Sequence, residues 1–271
     1  MKYKIFASDL DSTLLYNNEV SKENILALNK LVENGIIPVF VTGRIYTSAL
    51  YYATKNQLKI PIIGCNGAVV ADSDQNIISY TPIDDSIARD IAKLCDEEKL
   101  YYHFYDHDTF YSKAVRLNRI KHITVSMGDD IVFQVNTFFS KNAIKRALER
   151  GHGVAKFVIN ISGTDMDDFT KQLDLEKLEI TKSGPNSIEI MKKGVSKASG
   201  LEILTKELNY SMEEIVAIGD YENDIPMIRE SGFGIAMGNA LKSVKDEADY
   251  ITTGNDDHGV AHAIDHILRG M

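Results

Sequence analysis

Cysteine is nearly absent. The chain holds two, Cys65 and Cys95, neither with a CxxC partner and with no histidine at finger spacing. That excludes a disulfide scaffold and a thiolate-built structural zinc site. Long apolar runs are missing as well. The longest uncharged one, near IPIIGCNGAVVA, falls well short of the roughly 20 residues a membrane helix needs. At the start, MKYKIFASDLDSTLL brings in acidic residues where a signal peptide wants its apolar stretch. Positive charge is in deficit: 30 Lys and Arg face 39 Asp and Glu, a net charge of −9. Nucleic acids and anionic membranes want the opposite balance. The expectation is a cytoplasmic protein without a nucleic-acid or membrane partner. A small anionic substrate in a local pocket remains compatible with that charge.

What is present is ordinary for a globular protein: 271 residues, 44% hydrophobic and 25% charged. At about 150 residues per domain, the length suggests two domains. The rhythm along the chain refines this. KIFAS is a short apolar run of the kind that forms a buried strand. Ser21 is suited to cap the helix SKENILALNKLVENG, whose Ile25, Leu28, Leu31 and Val32 follow helical spacing and which Gly35 stops. IIPVFVTG, a helix from Tyr46 to Leu58, and IPIIGCNG with its Asn66-Gly67 turn continue the alternation. Strand, helix, strand, helix, strand predicts parallel pairing. From residue 83 to residue 190 the pattern changes to α+β, with an aromatic hairpin YYHFYDHDTFYS. The alternation resumes near Gly194 and runs to a last helix, GVAHAIDHILRG. An α/β core at 1–82 and 191–271, split by an inserted domain at 83–190, is the expected organisation.

Three apolar strands end in polar clusters: DLDSTLL, TGR and GDYENDIPM. In open parallel sheets, ligands bind at the carboxyl ends of the strands. Asp9 and Asp11, two residues apart in extended chain, leave on one side. Carboxylates so crowded need a cation or a shared proton, and a hard ion such as Mg²⁺ supplies the charge. Asp220 is placed to add a third carboxylate, and Asp224 lies one helical turn on. A lone aspartate after a strand is usually a turn or a cap; the full set in this order is not. Thr42-Gly43-Arg44 leads into a helix and offers a hydroxyl and free amides to an anion. Lys197, also at a helix start, adds the positive charge that phosphoryl transfer requires.

With DLDSTLL, VTGR, GVSKASGL and GDYENDIPM in this order, the chain resembles the haloacid dehalogenase (HAD) superfamily. With NGA at Asn66–Ala68 and the insertion after it, it is similar to the Cof-type, sugar-phosphatase-like branch. The resemblance implies a Rossmann-like core with a mobile α+β cap, and a Mg²⁺-dependent phosphatase acting on a small phosphorylated metabolite. It implies Asp9 as nucleophile and Asp11 as general acid and base. The metal residues would be Asp9, Asp220 and, through its backbone carbonyl, Asp11, with Asp224 orienting the metal shell. Thr42, Gly43, Lys197 and Asn223 would hold the phosphate. Ser8, Ser12, Ala198 and Tyr221 depart from the usual pattern without removing a charged group. A phosphomutase or phosphotransferase of the same superfamily, and a non-catalytic binding protein that kept the fold, are the alternative readings. A monomer or weak homo-oligomer is expected.

Other features weigh less. His258, His262 and His266 share one helix face and read as solvated. Tyr101, Tyr102, Phe104, Tyr105, Phe110 and Tyr111 read as sheet packing, and Asp106 and Asp108 as turn residues. Arg116 and Arg119 face either a phosphate or water.

Overall fold

The computed structural model describes residues 2–115, 120, 123–127, 130–163, 165–184 and 186–270. Arg116 and Arg119 lie outside the described residues. The chain forms two compact units, one of Met1–Gly43, Ala49–Ser79 and Ser196–Met271, the other of Arg44–Ser48 and Tyr80–Val195.

The first unit is built on an eight-stranded sheet. Its strands are β1 (Ile5–Ser8), β4 (Ile37–Val41), β5 (Ile62–Gly64), β6 (Val69–Ala71), β7 (Ile77–Tyr80), β16 (Ile215–Gly219), β17 (Phe233–Ala236) and β18 (Tyr250–Ile251). The order is β18-β17-β16-β1-β4-β5-β6-β7. From β18 to β5 all pairing is parallel. Every residue of β1 and β16 is buried, as continuous apolar runs require when both faces are covered. Ile5, Ala7, Val39, Val41, Ile63, Ile215 and Ala217 pack in one cluster with Ala198, Leu201 and Leu204 of the helix Lys197–Leu208. The helix α1 (Lys22–Glu33) packs on β4 and on the C-terminal helix Gly259–Arg269.

Three local features add to the sequence reading or depart from it. After IPIIGCNG the pairing is no longer parallel: β6 returns antiparallel to β5 after a tight turn, so the sheet is mixed at this edge. A short antiparallel hairpin, β2 (Leu15–Tyr16) with β3 (Glu19–Val20), follows the first acidic cluster. In α1, Ser21 accepts the Asn24 amide as expected, but Val32 is 55% exposed and the buried face is Asn24, Ala27, Leu28 and Leu31. Asn24 is tolerated there because its side chain is satisfied, donating to the Leu14 carbonyl and accepting the Ala261 amide.

The second unit is α+β. A six-stranded sheet has the order β12-β9-β8-β13-β15-β14. Its strands are β8 (Tyr101–Tyr105), β9 (Thr109–Ser112), β12 (Asn136–Phe139), β13 (Lys156–Asn160), β14 (Leu178–Gly184) and β15 (Ser187–Lys192). A separate hairpin pairs β10 (Thr124–Met127) with β11 (Asp130–Phe133). Tyr102, Phe104 and Tyr111 are buried in one cluster with Ile91 and Cys95 of the helix Asp85–Glu97, Ala147 of the helix Ala143–Glu149, and Phe169. Of the aromatic hairpin, Tyr102, Phe104 and Tyr111 pack in this core.

Candidate active site

Parallel register brings the polar strand ends to one edge. Ser8 at the end of β1 lies opposite Phe40 of β4 and Ile218 of β16. The next residues of these strands are Asp9, Val41-Thr42 and Gly219-Asp220, and the Asp9 amide donates to the Ile218 carbonyl at 3.1 Å. The chain then turns sharply. Ser12 takes a left-handed φ of 58°, and the Thr13 hydroxyl reaches across to donate to Asp220 Oδ1 at 2.9 Å.

Lys197 enters from the opposite side of the sequence. It is the first residue of its helix, which Ser196 caps by accepting the Ser199 amide while Ser199 Oγ accepts the Ser196 amide. Its Nζ is buried and donates to Asp9 Oδ1 and Asp224 Oδ1, each at 2.5 Å. Asp224 Oδ2 accepts the Asp220 amide at 2.9 Å and the Tyr221 amide at 3.0 Å. Asp224 thus spends one oxygen on the lysine and the other on the loop that carries Asp220. The loop closes so tightly that a Cβ on Gly219 would lie 2.3 Å from the Asp224 carboxyl carbon.

Carboxylate oxygens of Asp9, Asp220 and Asp224 lie within 4.8 Å of one another, and all three residues are buried. The electrostatic consequence is direct. Burial pushes Asp9 well above the usual carboxylate range; Lys197 opposes this, and Asp224, Asp220 and Asp11 add to it. Asp220 is pushed up to about 7, chiefly by burial and then by Asp224, against the Thr13 hydrogen bond and Lys197. Burial alone would lower Lys197, yet Asp224 and Asp9 hold it well above its ordinary value, so it stays charged. Three crowded carboxylates against one lysine leave unbalanced negative charge on hard oxygen donors. That donor set fits Mg²⁺.

A second chain of contacts links the other strand ends. Thr42 is fully buried; its amide donates to the Ile63 carbonyl, and its own carbonyl accepts the Asn66 amide at 3.0 Å. Asn66 Oδ1 accepts Asn223 Nδ2 at 3.2 Å. Cys65, Asn66 and Gly67 are successive left-handed residues, with φ of 51°, 56° and 103°. A Cβ on Gly67 would lie 2.0 Å from the Ser196 carbonyl oxygen, so this turn is pressed against the start of the Lys197 helix. Gly43 follows Thr42 at the end of the unit's first segment.

The structure therefore joins Asp9, Lys197, Asp220 and Asp224 directly, and Asn223 to Thr42 through Asn66. Asp11 is exposed in the turn, close enough to influence Asp9. Thr13, and Asn66 as the partner of Asn223, escape sequence reasoning. Their only signals are a hydroxyl two residues past Asp11 and an Asn-Gly turn dipeptide. The three C-terminal histidines each have a separate neighbour: His258 has Ser21 at 3.0 Å, His262 has Thr253 at 2.8 Å, and His266 stacks on Tyr250.

A family model described as haloacid dehalogenase-like hydrolase matches residues 6–264. The chain is 33% identical to the 5-amino-6-(5-phospho-D-ribitylamino)uracil phosphatase YcsE of Bacillus subtilis, over 97% of this chain and 95% of that one. It is 30% identical to the phosphatase YwpJ of the same organism, over 98% of this chain and all of that one. Among solved structures, a haloacid dehalogenase-like hydrolase from B. subtilis superposes with a TM-score of 0.85 at 26% identity, covering 97% of this chain and 99% of that one.

Proposed function

The chain belongs to the haloacid dehalogenase-like hydrolase family and is a phosphatase of it, and we propose that it hydrolyses a small phosphomonoester of a sugar or sugar alcohol through an aspartyl-phosphate. The observation that carries this reading is the buried constellation of Asp9 and Asp220, at the ends of adjacent parallel strands, with Lys197 and Asp224. The ribityl phosphate of the relatives' substrates motivates the substrate class.

In this mechanism an Asp9 carboxylate oxygen attacks phosphorus, and the bond from phosphorus to the ester oxygen breaks. Asp11, in its protonated form, gives its proton to the departing alkoxide. It then takes a proton from water, whose oxygen attacks phosphorus and releases phosphate and free Asp9. The exposed position of Asp11 suits a group that meets both leaving group and solvent. Lys197 steadies the nucleophile and the charge developing on the phosphoryl oxygens. The Thr42 hydroxyl, the Gly43 amide and Asn223 hold those oxygens, and Asn66 aims the Asn223 amide by accepting one of its two protons. Asp9, Asp220 and the backbone of Asp11 would hold Mg²⁺, with Asp224 fixing Lys197 and the Asp220 loop. When bound, the ion would neutralise the approach of anionic nucleophile to anionic phosphate.

The test is phosphate release from a panel of sugar and sugar-alcohol phosphates with Mg²⁺, by wild type and by Asp9→Asn. Turnover that Asp9→Asn abolishes supports the reading; equal turnover by both proteins overturns it. Isomerised phosphoester in place of free phosphate would point to a mutase.

A further inference from the structure

The second unit carries a cluster that the phosphatase mechanism does not use. β8 and β9 are joined by Asp106-His107-Asp108. Asp106 is completely buried. Its Oδ1 accepts the Asp108 amide at 2.9 Å and the Thr109 amide at 2.7 Å; its Oδ2 accepts the Tyr111 hydroxyl at 2.9 Å. Oδ2 keeps a second lone pair. His152 Nδ1 faces that oxygen at 3.6 Å and Arg150 Nη1 at 3.9 Å, both beyond hydrogen-bond reach. Arg150 is committed elsewhere. Its Nη2 donates to both Asp108 oxygens at 3.1 Å, and its Nη1 to Thr109 Oγ1 at 2.7 Å and the Tyr111 hydroxyl at 3.0 Å. His152 Nδ1 is closed to solvent and has no hydrogen-bond partner among the described residues. The His107 ring lies 4.5 Å from the His152 ring, edge to face, and meets Tyr80 on another side.

We propose that Asp106, His107 and His152 form a binding site for a borderline divalent transition-metal ion of the zinc class, separate from the acidic cluster at Asp9. Ligand atoms from the three residues lie within 4.8 Å of one another. The 3.6 Å between Asp106 Oδ2 and His152 Nδ1 is too long for a hydrogen bond. It is close to the ~3.4 Å separation of two ligands on one tetrahedral ion with bonds near 2.1 Å. His107 supplies the third ligand atom within the same 4.8 Å. Two imidazoles and one carboxylate select zinc, nickel or copper rather than magnesium, which prefers oxygen. The carboxylate is already aimed: two amides and the Tyr111 hydroxyl fix it, as the outer partners of a metal ligand do. Asp108 offsets part of the charge of Arg150, whose Nη1 lies 3.9 Å from Asp106 Oδ2. Three protein ligands leave a fourth position for water or a small anion.

The probe is Zn²⁺ alone, titrated calorimetrically into the full chain with excess Mg²⁺ present to fill the acidic cluster. Wild type should bind one equivalent. His107→Ala and His152→Ala should each weaken that binding at least tenfold while leaving Mg²⁺-dependent phosphate release unchanged. Co²⁺ bound in place of Zn²⁺ should show visible absorption bands that both variants lose. Equal Zn²⁺ binding by wild type and both variants overturns the proposal, as does the absence of a Zn²⁺ equivalent under excess Mg²⁺. Should His152→Ala fail to fold, His107→Ala decides alone, because its side chain sits in the turn.

Discussion

Cation binding to the acidic cluster should sharpen as pH rises, and Mg²⁺ titration between pH 6 and pH 8 measures it. Asp220 is pushed up to about 7 by burial and by Asp224. An ion that needs its carboxylate must displace a proton, so apparent affinity is reduced by a factor of one plus the ratio of protonated to ionised Asp220. That factor is about 11 at pH 6 and about 1.1 at pH 8, an approximately tenfold gain in affinity. Asp9 is raised for related reasons and acts in the same direction. For stability the sign is the reverse of an ordinary salt-bridged carboxylate. The folded value lies above the unfolded 3.8. The ion-free fold is therefore progressively destabilised as pH climbs from the unfolded to the folded value, and the full penalty is present above the folded one. About three pKa units correspond to something on the order of 4 kcal/mol. Mg²⁺ should accordingly raise the melting temperature more at pH 8 than at pH 6. Calorimetry in two buffers of different ionisation enthalpy counts the protons released. From Asp220 alone, about 0.9 per ion is expected at pH 6 and about 0.1 at pH 8. An affinity constant within twofold across this range, with no proton release, would refute the argument that these carboxylates are crowded and share the ion.

Three substitutions probe other parts of the constellation. Asp11→Asn should lower kcat by about 10²–10⁴ with Mg²⁺ affinity nearly unchanged, because its role is proton transfer; an unchanged kcat would remove Asp11 from the chemistry. Gly219→Ala forces a Cβ to 2.3 Å from the Asp224 carboxyl carbon. Denaturant melts should then show a loss of about 1–3 kcal/mol, as overpacking gives, and turnover should fall with it; a wild-type melt would mean the loop relaxes freely. Asn66→Gly keeps the left-handed backbone and deletes the acceptor for Asn223, so KM and the inhibition constant of inorganic phosphate should rise together. The same substitution in an Asn223→Ala background should add little, and additive effects would show that Asn66 acts by some other route.

The catalytic strands were legible for a physical reason. β1, β4 and β16 are covered on both faces, so they read as unbroken apolar runs whose polar ends stand out. Lys197 was legible because its cap and its place at a helix start are local features. The antiparallel return through β6 was not. It depends on Cys65 and Asn66 adopting left-handed φ, and a cysteine gives no warning of that. Val32 has helical spacing yet faces outward, because a single apolar stripe does not say where its edge falls. Asp106 was readable as a turn residue through its bonds to following amides, but not as a buried one. Tyr111, Arg150 and His152 reach it from β9 and from a segment more than forty residues away.

The sheet that carries Asp9 also sets the order in which the chain can fold. Ser8 of β1 is flanked on one side by Phe40, which follows soon after it, and on the other by Ile218. At about 5–20 residues per second of synthesis, the strand bearing the nucleophile waits some tens of seconds for its second neighbour. During that interval the half-sheet presents an open edge, and such long-range pairing is slow to form in any case. The second unit, Arg44–Ser48 and Tyr80–Val195, is complete before that neighbour is made. Lys197, Asp220 and Asp224 all follow it in the chain, so the buried lysine and two of the clustered acids arrive together, last. A nascent chain stalled before Ser196 would hold Asp9 in an unfinished sheet with no buried charge against it, and the acidic cluster assembles only when its counter-charge can assemble with it.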